Sequence, residues 1–77
     1  MELKEFIENF ADLFDETDMG EIKAETDFKK LDEWSSMIAL SAIAMIDAEY
    51  DVQIKGSDIR ESKTIEDLFN LIKMKKN

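Results

Sequence analysis

Apolar residues fall into three separated stretches with helical spacing. The first holds Leu3, Phe6, Ile7, Phe10, Leu13 and Phe14, the i, i+3, i+4, i+7 pattern of a helix with one buried face. Glu2, Glu5, Glu8 and Asp12 fall on its other faces. The second stretch, from about Ser36 to Tyr50, is apolar almost throughout. The third places Ile65, Leu68, Phe69 and Ile72 on one side and opens with Thr64-Ile-Glu-Asp67. There Thr64 can cap the helix and Asp67 can reciprocate three residues later, as in a capping box. Lys73, Lys75 and Lys76 sit near its C-terminal end, where positive charge suits the helix dipole.

The segments between are less regular. Asp15 to Gly20 breaks the first pattern, and Gly20 suits a left-handed turn. From residue 20 to 35 the apolar anchors are only Ile22, Phe28, Leu31 and Trp34. This reads as a long loop pinned to the core, and unstructured loops of that length are usually functional. Tyr50-Asp-Val-Gln-Ile54 reads as an extended connection, and Ser57-Asp-Ile-Arg-Glu61 as one short helical turn with Ser57 as its N-cap. There is no proline and there are only two glycines, which suits helices better than a sheet sandwich. The expected fold is all-α: a small antiparallel bundle of three main helices plus one short helix, with a long first loop, in one domain spanning residues 1–77.

The second helix has more apolar faces than a single core needs. Stepping about 100° per residue from Met37 puts Ala39, Ala42, Ile43, Ile46 and Tyr50 on one side, an adequate core face. Met37, Leu40, Ala44 and Ala48 fall opposite, with Ser41 among them, and Ile38 and Met45 lie on a flank. One buried face requires a stripe only roughly 100° wide. The surplus predicts an exposed apolar strip kept for a partner, a use to which methionine is suited by its adaptable shape.

Composition narrows the chemistry. The chain has no cysteine and no histidine, which removes disulfides, the usual zinc ligands, thiol catalysis and a Ser-His triad. A self-contained enzyme is not expected. The formal net charge is -9, a field that repels nucleic acid and anionic membrane and attracts basic partner surfaces. Residues 1–35 carry net -8, residues 36–62 net -3, and residues 63–77 net +2. No apolar run reaches membrane-spanning length, and the acidic start does not read as a signal peptide. A cytoplasmic monomer without membrane insertion is expected. Asp15-Glu-Thr-Asp-Met-Gly20 begins like an EF-hand loop, but Met19 would occupy a ligand position and Thr26 would replace the bidentate glutamate. No metal site is expected.

Two serines, Ser35 and Ser36, head the most apolar stretch. Ser35 precedes the run directly and is a natural N-cap. Ser36 is then the first helical residue, with its hydroxyl toward solvent at a positive helix end that would favour an attached phosphate. One serine suffices for a cap, so the second calls for another explanation.

Here the residues resemble a known family, the acyl carrier proteins, which bear a 4′-phosphopantetheine arm on a serine. The family's signature is Asp-Ser-Leu at the start of its second helix, often preceded by Trp; Trp34-Ser35-Ser36-Met37 stands in that place. Similar blocks follow in order: Asp27-Phe28 and Leu31 before it, Glu49-Tyr-Asp-Val-Gln-Ile54 and Thr64-Ile-Glu-Asp-Leu68 after it. The resemblance covers essentially the whole chain. It implies a four-helix carrier without catalysis of its own, a phosphoprotein of fatty acid biosynthesis or related lipid metabolism. Ser36 would hold the cofactor, attached by a phosphopantetheinyl transferase from coenzyme A with Mg²⁺. The thiol then arrives with the cofactor and carries acyl or aminoacyl groups as thioesters between loading and transfer enzymes. Partner recognition would fall to Ser35, Met37, Ile38, Leu40, Ser41, Ala44, Asp47 and Ala48. Short acyl chains would tuck near Phe28, Ile46, Ile54 and Ile59, for which ordinary core is the competing reading.

Two departures stand out. Ser35 replaces the signature aspartate, keeping the capping role but losing the charge that helps the transferase recognise its substrate. Ile38, Ser41 and Ala48 stand where the family often has acids, so steering toward basic partners should weaken. The expectation is a specialised carrier rather than the housekeeping carrier of fatty-acid synthesis. The alternative is a helical adaptor, or a lapsed carrier no longer modified, binding partners through the apolar strip.

Overall fold

The computed structural model of the chain describes residues 2–76. Within them the order is α1 (Leu3–Ala11), α2 (Ser36–Tyr50), α3 (Gly56–Glu61) and α4 (Ile65–Lys76), with no strand. This is the expected all-α bundle of three main helices and one short one. Two 3₁₀ turns, Met19–Glu21 and Phe28–Lys30, punctuate the long connection between α1 and α2. Helix α4 packs on α1 and α3, and α3 packs on α2. None of the helices is long and apolar enough to cross a membrane among the described residues.

The core follows the spacing. Phe6, Phe10, Phe28, Ile46, Ile65, Leu68 and Ile72 are fully buried. The Phe6 ring lies 5.9 Å from Phe10, 5.8 Å from Tyr50 and 5.7 Å from Phe69, so one aromatic side chain joins α1, α2 and α4. The long loop belongs to this core, because Phe28 packs edge-on against Phe10 at 5.3 Å and against Trp34 at 5.0 Å. The start of α4 ties the loop down as well. Its Glu66 amide donates to the Ala24 carbonyl at 2.9 Å and its Ile65 amide to the Thr26 carbonyl at 3.3 Å, satisfying donors that a helix start leaves without partners.

The Thr64–Asp67 capping box forms: the Asp67 amide donates to Thr64 Oγ1 and the Thr64 amide to Asp67 Oδ2, both at 3.1 Å. Other local expectations need correction. Helix α1 stops at Ala11, and Phe14 reaches the core from a tightened turn in which its amide donates to the Ala11 carbonyl. Gly20 is not left-handed; it lies in a 3₁₀ turn with its amide on Asp18 Oδ1 at 2.9 Å. The left-handed residue is Asp51, with φ 56°, closing α2, a conformation that a short polar side chain tolerates better than most. Ser57 is not the cap of α3. Asp58 reaches back to the Lys55 amide at 2.9 Å, and the cap falls on Lys55, two residues earlier, with the helix starting at Gly56.

Candidate functional site at the head of the second helix

Ser35 is extended, with φ -153° and ψ 171°, and its Oγ accepts the Ile38 amide at 3.3 Å. Its carbonyl accepts the Ala39 amide at 3.0 Å. Ser35 is thus the N-cap and Ser36 the first helical residue, with an exposed side chain. The amides of Ser36 and Met37 have no protein partner among the described residues, leaving a donor-rich helix terminus beside a free hydroxyl.

An open groove of about 590 Å³ runs beside Ser36. Helix α2 contributes Ser35, Ser36, Ala39, Leu40 and Ile43, α3 contributes Gly56, Ile59 and Arg60, and the loop adds Lys29 and Trp34. Lys29 Nζ donates to the Arg60 carbonyl at 2.6 Å, so the loop closes the end of α3. The Arg60 guanidinium lies back over Gly56, where a side-chain carbon would sit 3.4 Å from Nη1. Neither cation forms an ion pair among the described residues, whereas Lys30 and Lys75 do.

Of the residues read from the sequence as an acyl-chain pocket, only Ile59 borders this groove. Phe28 and Ile46 are fully buried and Ile54 nearly so; they fill the core against the aromatic cluster. Ala39 and Ile43, on the core face by their spacing, do pack against the core; they are half-buried because they also line the groove. Lys29, Gly56 and Arg60 join the site only in the folded chain. The one available signal was Arg60 standing one turn after Gly56, which lets a long side chain fold back over a residue that lacks one.

The side of α2 turned away from the core is uncovered. Met37 is 78% exposed and Leu40 66% exposed, and Ser41, Ala44, Asp47 and Ala48 are exposed beside them. Ile38 and Met45 are half-buried on the flank. Charge on this face begins at Asp47, so about its first three turns carry none. Among the described residues no group of three carboxylates is placed to hold a metal ion.

Tyr50, at the far end of α2, accepts a hydrogen bond from Asn9 Nδ2 at 2.9 Å. Burial pushes its phenol above the ordinary value, the Asn9 bond pulls the other way, and Glu5 and Glu49 add to the rise. The hydroxyl therefore stays neutral at physiological pH and serves packing. No family model, curated protein or solved structure matches the chain.

Proposed function

We propose that the chain is an acyl carrier protein, modified on Ser36 with 4′-phosphopantetheine and working by delivery rather than catalysis. The observation that carries this reading is the exposed Ser36 hydroxyl at the N-terminus of α2, opening onto a groove with an apolar floor. The residues present fit the group. The amides of Ser36 and Met37 offer donors to a phosphodiester, the helix dipole favours its charge, and Ala39, Leu40, Ile43 and Ile59 offer apolar surface to the remainder of the arm. When attached, the arm supplies the thiol that the sequence lacks, and with it the thioester. Ser35 fixes the helix start, so that Ser36 stands clear of the core.

Met37, Ile38, Leu40, Ser41, Ala44, Asp47 and Ala48 form the recognition face for the phosphopantetheinyl transferase and for loading and transfer enzymes. Because charge is sparse there, the favoured partners present apolar rather than strongly basic surfaces, which suits a specialised carrier acting as a cytoplasmic monomer. The same exposed strip supports a second reading, a helical adaptor or lapsed carrier that binds through it without any cofactor.

Intact mass after incubation with coenzyme A, Mg²⁺ and a broad-specificity phosphopantetheinyl transferase separates the two. A gain of one phosphopantetheine, absent in Ser36→Ala and kept in Ser35→Ala, is the expected result. No gain from broad-specificity or native-host transferases would favour the adaptor.

A further inference from the structure

Cations are the minority in this chain, 10 against 19 acids, yet two of them face one groove without a carboxylate partner among the described residues. Arg60 is folded back over Gly56 and Lys29 reaches across to the Arg60 carbonyl. Both line the groove that Ser36 opens onto, and the amides of Ser36 and of Met37 next to it have no protein partner among the described residues. In a molecule of net charge -9 this is a local reversal of sign, built from three separate segments of chain.

We infer that Arg60 and Lys29 hold the phosphate esterified to Ser36, pinning the root of the arm in the groove between α2 and α3. The inference rests on the carrier reading. Reach decides which anion is held. The phosphate is bonded directly to Ser36 Oγ and cannot leave the mouth of the groove, whereas the thiol end of a long flexible arm can. The partners are chemically matched. A guanidinium presents a planar fork of donors to phosphate oxygens, and an ammonium acts as a point charge. Over most of so acidic a surface the phosphate would meet repulsion; here it meets two cations and a helix N-terminus. The arm then leaves along the groove; of the exposed strip of α2 only Leu40 borders that groove, so the rest of the strip stays free for a partner. Salt weakens such a contact by screening, so the arm is released more readily as ionic strength rises.

Two measurements test this. The first encodes phosphoserine at position 36, which places a phosphate there whether or not any transferase accepts the chain. Its second ionisation, ordinarily near about 6, is followed by phosphorus NMR in the otherwise native chain and with Arg60→Gln. Nearby positive charge favours the dianion, so the midpoint should lie about half a unit or more lower with Arg60 than with glutamine. Arg60→Lys should restore most of the difference, and equal midpoints overturn the inference. The second compares thermal midpoints before and after loading from coenzyme A at low salt. Loading should stabilise the native chain more than Arg60→Gln, and equal gains overturn the inference for the diester. Failure of Ser36 to gain mass at all removes the carrier reading and this inference with it. Normal loading with equal midpoints removes the inference alone.

Discussion

Glu33 holds Thr17 by two donors at once: its Oε1 accepts the Thr17 amide at 2.9 Å and the Thr17 hydroxyl at 2.8 Å. The same carboxylate accepts the Asp15 amide at 2.7 Å and the Glu16 amide at 3.0 Å. The segment after α1 is thereby tied to the residue that precedes Trp34, one step from the capping serine. Burial by itself would raise the Glu33 carboxyl; the Thr17 hydroxyl and the three amides outweigh it and hold the group below the ordinary glutamate value.

That depression has a sign and a pH window. A carboxylate with a lowered folded value contributes stability that is fully present above the unfolded value, about 4.3, and is lost as pH falls through the folded value. Glu33→Gln keeps the shape and one acceptor oxygen but not the charge. It should melt below the native chain at pH 7, and the gap should narrow as pH falls below about 4. Thermal melts followed by Trp34 fluorescence at a series of pH values would show this. A gap of constant size down to pH 3 would mean that charge is not what Glu33 contributes.

Phe28 makes the long loop part of the core rather than a flap over it. It is fully buried between Phe10 and Trp34, and truncating a buried phenylalanine to alanine costs about 3–5 kcal/mol. A domain this small has a total stability near the low end of about 5–15 kcal/mol. Phe28→Ala should therefore lose cooperative urea unfolding at 25 °C, with Trp34 emission shifted to the red. A variant that unfolds close to the native midpoint would place the loop outside the cooperative unit.

The helices were legible because each carries its own period, and the Thr64–Asp67 cap because its two halves stand three residues apart. The groove was not, because Lys29 stands in the loop and Gly56 and Arg60 in α3, segments with no common pattern that meet only in the folded chain. The angle puts Ala39 and Ile43 on the core side, and they do pack there, but at its edge, where they also line the groove and stay half-buried. Gly20 marked where a left-handed residue would be tolerated, not where one is needed. The need arises at Asp51, because Val52 must turn inward at once to be buried. The exposed strip was legible as surplus hydrophobicity, since a bundle of this size has only one interior to fill.

Asp51 is a point where stability can be gained. It is left-handed at φ 56°, and it puts a negative charge at the negative end of α2. Asp51→Gly removes the steric strain and the unfavourable charge, partly offset by a looser unfolded chain. The net gain should be about 0.5–1 kcal/mol. Asp51→Asn should recover the charge portion alone, and Asp51→Ala should fall below the native chain. Urea midpoints for the three variants check the order; alanine equal to glycine would show that backbone strain plays no part.

Partner choice is the last consequence of the strip. Ser41 and Ala48 are exposed on α2 and do not border the groove. Replacing both by glutamate should leave stability within about 0.5 kcal/mol per site while creating a negative face for basic partners. Complementary charge acts mainly on encounter rate and partner choice. The loaded Ser41→Glu, Ala48→Glu chain should accept malonyl transfer from a standard fatty-acid synthase set about tenfold or more faster than the native chain at low salt, and the advantage should shrink as salt is added. If the native chain already passes malonyl and elongation intermediates efficiently, its sparse charge is no barrier. The specialised reading then fails, and the carrier reading remains.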